Sequence, residues 1–396
     1  MRIIELEEEA DRVLAQGELD EASALSLDRS GRFTVEFPSV KNAYKFIVRS
    51  KGWVGQIPLG PELSIHIRPK VSVNAIFEML EVAYNLKSFQ FLDGETNVAT
   101  VDGLFERIAS ILASRVIDRA RKGLFQEYVS QRADLGFVRG RVDIRESLKR
   151  SASGSPYLHC EFQELTHDVE DNQLLLWTLY KVSQGSFTRP NSARLIRQAY
   201  RALNGTVAVS EKRPDDCIGR FYHRLNEDYQ PLHGLCRLLL EHLGPDMKLG
   251  QAQFLPFMVN MPNLFEAFVA EWLKGNTVDT WLVTSQYTAK LTANADLRFR
   301  IDLILKDKVS GQPLAIMDTK YKAAMAPTEA DIQQVVAYAV ETGVTKAFLV
   351  YPSSQSNFLK ARVGAIDVTS VAFDISKEID ASGKIFIEQI TTLLAS

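Results

Sequence analysis

The stretch IDLILKDKVSGQPLAIMDTKYK, residues 301–322, reads as two apolar strands joined by a turn, and each strand carries one acid. Asp302 lies on the first strand, Asp318 on the second, and Lys320 follows Asp318 by two positions. Strands disfavour Asp, and most carboxylates sit on solvated surface, so an acid inside an apolar strand needs a reason. In the first strand Leu297, Phe299, Ile301 and Leu303 share one face, while Arg298, Arg300, Asp302 and Ile304 share the other. Asp318 and Lys320 likewise share a face. Folding the strands about a loop of roughly residues 307–313 pairs 306 with 314, 304 with 316 and 302 with 318. Directly opposed Cβ atoms stand about 4.5–5.5 Å apart, so the two aspartates become neighbours.

Two bare carboxylates at that spacing repel, and one has its pKa raised. A divalent cation removes the conflict by accepting oxygen from both. Mg²⁺ suits carboxylate oxygens, and often keeps several waters while held by one or two acids and a substrate phosphate. Such an ion makes water more acidic and offsets charge gathering on phosphorus, and a nearby ammonium adds to that compensation. A D-x-K pair alone is most often a surface ion pair. What sets this one apart is the second acid at the matching register and the elements on either side.

Before the hairpin comes NLFEAFVAEWLKG, residues 263–275, with helical spacing. Asn263 is its expected N-cap and Gly275 its expected stop, and Leu264, Phe265, Phe268, Val269 and Trp272 form its buried stripe. Glu266 lies on the border of that stripe, which makes it the candidate third oxygen donor. After the hairpin, APTEADIQQVVAYAVETG predicts a helix opened by Thr328 with Asp331 three residues later and closed by Gly343. The strand KAFLVYP follows, so the helix crosses over and packs on the sheet.

The whole chain bounds the function further. Its 396 residues are 46% hydrophobic and 24% charged, an ordinary globular composition with length for two or three cores. The formal charge of −3 leaves any nucleic-acid surface to a local patch. No apolar run approaches the length of a membrane span, and the acidic start MRIIELEEEADRV lacks the pattern of a signal peptide, so the expected location is the cytoplasm. Cys160, Cys217 and Cys236 are scattered, which suits a reducing compartment and excludes a zinc ribbon. No P-loop occurs, so the chain is not expected to bind a nucleotide.

Organisation along the chain predicts a multidomain α+β protein. Residues 1–95 read as a β-rich N-terminal domain, after an acidic helical or irregular lead-in over 1–28. Residues 96–245 read as a central helical region, with helical spacing over 101–130 and in VEDNQLLLWTLYKVSQ, while 72–92 carries helical spacing at the end of the first domain. Residues 246–396 read as an α/β domain with a mixed sheet. A basic run, Arg132, Arg139, Arg141, Arg145, Lys149 and Arg150, either meets phosphates or an acidic partner or is simply solvated. Arg139-Gly140-Arg141 has the look of a turn, where glycine permits close backbone approach. Glu170 and Asn172 are expected to cap and buttress their helix, Tyr44 and Trp53 to join the β core, and His66, His159 and Cys160 to be structural.

The order Glu266, Asp302, Asp318-Thr319-Lys320 resembles the PD-(D/E)xK nuclease superfamily, with Ile301 where many members have proline and Asp318 where many have Glu. Gln334 and Tyr338, spaced Q-x-x-x-Y, are similar to the RecB-type subgroup, in which they support the metal site or substrate. Four longer stretches resemble the McrC family, the nuclease subunit of methylcytosine-dependent restriction systems: WVGQIPLGPELSIHIRPKV (53–71), FERIASILASRVIDRARKGLFQEYVSQRADLGFVRGRVDI (105–144), VEDNQLLLWTL and FLPFMVNMPNLFEAFV (254–269). The resemblance implies a PD-(D/E)xK endodeoxyribonuclease domain with catalytic Asp302, Asp318, Lys320 and Glu266. It implies Mg²⁺, or Mn²⁺ in its stead, held by Asp302, Asp318, Glu266 and Thr319. It implies partners too: double-stranded DNA bearing a modified cytosine, and a GTP-hydrolysing AAA+ ring, McrB, on which the N-terminal part docks and whose GTPase it stimulates. Two other readings stay open, a non-catalytic activator of an AAA+ ring and a RecB-like nuclease with a different partner.

Overall fold

The computed structural model describes residues 2–59, 63–86, 101–185, 187, 189–243, 247–249, 252–254, 257–277, 281–290, 298–322, 327–353 and 359–395. The end of the helical pattern over 72–92, beyond residue 86, and Leu297 lie outside them. The chain groups into two compact units, Met1–Phe105 with His242–Ser396, and Glu106–Glu241.

The N-terminal segment runs β1 (Arg2–Glu7), β2 (Arg12–Leu14), α1 (Glu21–Arg29), β3 (Phe33–Glu36), β4 (Phe46–Ser50), β5 (Trp53–Pro58), β6 (Leu63–Arg68) and α2 (Val73–Ala83). The lead-in is therefore not helical or irregular at its start. Ile4 and Leu6 alternate inward and are buried, while Glu5 and Glu7 face out, and β1 pairs in parallel with β6. High acid content hid a period-two strand whose acids all lie on its wet face. β2, β4 and β3 form a separate antiparallel sheet. Tyr44 departs from expectation as well: it is 62% exposed, at a positive φ of 58° in a turn. Trp53 is half-buried, with the Arg32 guanidinium 4.7 Å from its ring centre.

The second unit contains most of α3 (Val101–Lys122), then β7 (Glu127–Leu135), β8 (Arg141–Val142), α4 (Ile144–Ala152), β9 (Leu158–Thr166), α5 (Glu170–Ser183), α6 (Pro190–Leu203) and most of α7 (Tyr229–His242). Helix α3 stops well before residue 130, because β7 begins at Glu127. The region is thus not wholly helical: β7, β9 and β8 form an antiparallel sheet. Gly140 lies in a turn at φ 67°, where a Cβ would stand 2.4 Å from the Glu161 carbonyl oxygen. Asn172 buttresses as expected: its amide donates to Phe125 O at 2.9 Å and His167 O at 2.7 Å, and it accepts the Tyr229 hydroxyl at 2.7 Å. Glu170 does not cap; Val169 holds the cap position, and Glu170 accepts from Arg220 at 3.2 Å. Cys160 is buried, and the His159 ring bonds Asp134 at 2.7 Å.

The C-terminal segment runs β10 (Met247–Leu249), β11 (Ala252–Phe254), β12 (Phe257–Asn260), α8 (Met261–Asn276), β13 (Trp281–Lys290), β14 (Arg298–Asp307), β15 (Pro313–Thr319), α9 (Glu329–Thr342), β16 (Lys346–Tyr351), β17 (Lys360–Val363), β18 (Ile366–Ala372) and α10 (Ile379–Ala395). Strand β12 pairs antiparallel with β5, completing a sheet in the order β1-β6-β5-β12 and joining the two ends of the chain in one unit. Gly55 makes that pairing possible. At φ 120° its missing Cβ would stand 2.3 Å from the Phe257 carbonyl oxygen.

A six-stranded mixed sheet in the order β13-β14-β15-β16-β18-β17 forms the rest. β13, β14 and β15 are antiparallel, and β15, β16 and β18 are parallel, with α9 as the crossover between β15 and β16. Val335, Tyr338 and Ala339 of α9 share a buried core with Ile304, Ile316, Leu349 and Val368. Thr328 caps α9 with Asp331 in a reciprocal box, and Gly343 ends it in the left-handed region, as its sequence predicts. Helix α8 begins one turn early: Asn260, not Asn263, is the cap, accepting from the Asn263 amide, because Pro262 fits the first turn. Its predicted stripe is buried throughout. Phe373, at the end of β18, packs against Phe268 and Trp272 of α8 and Phe386 of α10 at centroid distances of 4.8, 5.1 and 5.0 Å.

A carboxylate cluster at the end of a central strand

The hairpin of β14 and β15 has Ile304 opposite Ile316 and Leu303 opposite Met317, a register that, extended by one residue, sets Asp302 opposite Asp318. The expected pairing of 306 with 314 is not observed. A bulge between Leu305 and Lys306 brings Lys306 opposite Pro313. It lies at the loop end and leaves the acids in step.

Asp302 is fixed by its neighbour strand: its Oδ2 accepts the Thr319 amide at 2.8 Å and the Thr319 hydroxyl at 2.9 Å. Asp318 is 2% exposed, and the Lys320 ammonium lies 2.6 Å from its Oδ2. Burial, then the charge of Asp302, lifts the Asp318 carboxyl to about 6 despite Lys320. Glu266, half-buried on α8, is lifted to about 7 by burial and then by Asp302, against opposing help from Arg300 and a hydrogen bond donated by Gln286. Burial alone would lower the Lys320 ammonium, but Asp318, Asp331 and Asp302 raise it overall. The ammonium donates to Gln334 Oε1 at 3.0 Å, and the Gln334 amide donates to the Tyr338 hydroxyl at 2.7 Å. All seven predicted site residues on the hairpin, α8 and α9 thus fall in one neighbourhood.

The cluster has more acid than base. Glu266 Oε1 is buried with no hydrogen-bond partner, and two of the three carboxyls are held above their ordinary range. That donor chemistry fits a hard cation taking oxygen from Asp302, Asp318 and Glu266. Among the described residues no three acidic, His or Cys side chains already stand as a closed metal-binding group. Two carboxylates with water and phosphate are enough for Mg²⁺. Thr319 presents its hydroxyl to Asp302 rather than outward.

Three further residues belong to the neighbourhood without a strong signal in sequence. Asp331 was legible only as a capping partner, yet its two oxygens lie 3.6 Å from Lys320 Nζ and 2.7 Å from Lys322 Nζ. Gln286 sits between the pairs Ser285–Leu303 and Tyr287–Ile301, which puts it opposite Asp302, and its φ is 51° in the middle of a strand. Glu8 is 1% exposed; its Oε2 accepts the Lys70 amide at 2.9 Å and the Tyr321 hydroxyl at 3.5 Å.

The basic run belongs to the second unit and is largely paired. Arg132 meets Glu161 at 3.2 Å, Arg139 meets Glu164 at 3.4 Å and stacks 3.9 Å over the Phe162 ring centre, and Arg150 meets Asp134. Arg141 and Arg145 are exposed.

A family model described as McrBC 5-methylcytosine restriction system component matches residues 48–352. The chain is similar to one from a refined half-complex of a tetradecameric assembly of Thermococcus gammatolerans McrB AAA+ hexamers with bound McrC. The identity is 16% and the TM-score 0.58, over 99% of this chain and 100% of that one. It is also similar to a chain of the Thermococcus gammatolerans McrBC complex, at 17% identity and a TM-score of 0.44, over 71% of this chain and 89% of the other. No curated protein matches. Among the described residues no helix is long and apolar enough to cross a membrane.

Proposed function

Because the chain belongs to the McrBC 5-methylcytosine restriction system component family, we propose that it is the metal-dependent endodeoxyribonuclease of a modification-dependent restriction complex, of McrC type. Its C-terminal sheet with α8 and α9 is then a PD-(D/E)xK nuclease domain. The observation that carries this reading is the convergence of Asp302, Asp318 and Lys320 at the end of β15, with Glu266 within electrostatic reach.

The chain's own residues divide the work as follows. Asp302, oriented by the Thr319 amide and hydroxyl, and Asp318 offer two anionic oxygens on one surface, and Glu266 adds a third from α8. A bound Mg²⁺ would supply Lewis acidity toward phosphoryl oxygen and water. Lys320, held by Asp318 and Gln334, keeps a proton at neutral pH and donates toward the attacking water or the charged phosphoryl oxygens. Tyr338 holds Gln334, which in turn aims the ammonium. These are positioning roles.

The partner in this reading is a GTP-hydrolysing AAA+ ring of McrB type, which brings the chain to DNA bearing modified cytosine. The likeness in fold to a chain of an assembly containing McrB AAA+ hexamers and bound McrC supports it, as do the absence of a P-loop and the net charge of −3. A ring that holds DNA makes weak capture by the nuclease sufficient. The test is DNA cleavage by the complex with GTP and Mg²⁺, comparing wild type with Asp302→Ala and Lys320→Ala. Loss of cleavage with GTPase stimulation intact supports the enzyme. Cleavage that persists in both variants removes the assignment, and a loss of GTPase stimulation instead favours a regulatory role.

A further inference from the structure

A cavity of about 360 Å³ opens beside the residues that follow Lys320, at the ends of the parallel strands β15, β16 and β18. Its polar lining is Lys70, Ser72, Lys322, Ser353, Asp374 and Ser376. Ligands of parallel sheets bind outside the carboxyl ends of their strands, which is where this cavity lies. It is not isolated from the carboxylate cluster: Asp331 touches Lys320 with one oxygen and Lys322 with the other.

The geometry points to a subsite for a backbone phosphate of the bound DNA strand, next to the phosphodiester held by Asp302, Asp318 and Lys320, clamped by Lys70 and Lys322. This rests on the nuclease reading of that cluster. Each lysine is pinned by one acid, Lys70 by Glu9 at 2.6 Å and Lys322 by Asp331 at 2.7 Å, which fixes the ammonium and leaves further N–H groups to donate. Their side chains remain 33% and 40% exposed, so both reach solvent while being held. The one carboxylate in the lining, Asp374, is occupied: Lys377 lies 3.1 Å from Oδ2, and Oδ1 accepts the Ser376 amide and hydroxyl. Ser72 accepts the Ala75 amide as the cap of α2, and its own hydroxyl proton is available to an anion. Two ammoniums and a hydroxyl, in a recess one carboxylate away from Lys320, are what a flanking phosphate requires.

The test measures binding of a double-stranded oligonucleotide to the full chain carrying Asp302→Ala, across a series of salt concentrations starting low. Neutralising one phosphate contributes a slope of about 0.9 in log K against log salt. The combined Lys70→Gln and Lys322→Gln change is expected to weaken binding at least tenfold at low salt and to lower the slope by about 0.9. Arginine at both positions should restore the slope. Ser72→Asp keeps a good helix cap but puts a carboxylate into the cavity, and is expected to weaken binding with an unchanged melting temperature. An unchanged slope, wild-type binding by Ser72→Asp, or no binding at low salt overturns the subsite. Cleavage by wild type in the partnered complex, measured separately, tells a failed nuclease reading from a failed subsite.

Discussion

Asp318 and Glu266 titrate near 6 and 7 because burial and the charge of Asp302 oppose their ionisation. Both values lie above those of ordinary carboxyls, so the folded chain binds more protons than the unfolded one between about pH 4 and 7. Stability contributed by these groups is therefore present below that window and lost as pH rises through it. Melting temperature without divalent ion should fall across it, Glu266→Gln should flatten the fall, and Mg²⁺ should do the same by favouring the charged forms. Cleavage should rise over the same range and reach its plateau at lower pH as Mg²⁺ increases. Gln286 offers a second test at this scale. Its left-handed backbone costs roughly 1 kcal/mol that glycine avoids, so Gln286→Gly should leave stability equal or higher by up to about 1 kcal/mol. Cleavage should still fall about tenfold, since Glu266 loses a charge-assisted hydrogen bond. A variant that is both less stable and fully active would deny Gln286 any part in holding Glu266.

The hairpin, α8 and α9 are the elements on which sequence and structure agree best, and the reason is physical. Their apolar periodicity points to the observed local structure, and the caps of α9 agree with it, so register follows from counting; α8 misses only at its ends, capped by Asn260 and running past Gly275 to Asn276. Elements whose partners are distant in sequence were not legible. β1 hid behind its acids and β9 inside a region of helices, and nothing in FMVN or in WVGQIP announces that β12 pairs with β5. Of the candidate site, the acids and the lysine could be read from spacing, while Gln334 and Tyr338 entered through the resemblance to RecB-type nucleases. Gln286, Glu8 and the bridging role of Asp331 depend on register and packing that spacing does not carry. The β5–β12 pairing is open to a direct check. Gly55→Ala drives a Cβ into the Phe257 carbonyl at a φ that alanine resists, and should destabilise the chain by about 2–4 kcal/mol in urea unfolding.

At the scale of the whole molecule, one unit contains both the N-terminal strands and the carboxylate cluster, and they meet at Glu8. Its carboxyl, raised by burial, reaches the Lys70 amide and the hydroxyl of Tyr321, the residue after Lys320. Tyr321 also packs on Phe265, the neighbour of Glu266, at 6.1 Å. Glu8, just after β1, thus reaches the site through Tyr321, which in turn packs beside α8. Glu8→Gln and Tyr321→Phe should change the ratio of cleavage to GTP hydrolysis by the complex several-fold, and equal loss of both would reduce this contact to a structural one. Everything turns on whether the cluster at the end of β15 performs hydrolysis. The most direct measurement is the rate of cleavage of modified-cytosine DNA by the assembled complex with GTP and Mg²⁺, for wild type beside Asp302→Ala. The account predicts a loss of at least a hundredfold in the variant with GTP hydrolysis unchanged; cleavage at the wild-type rate would contradict it.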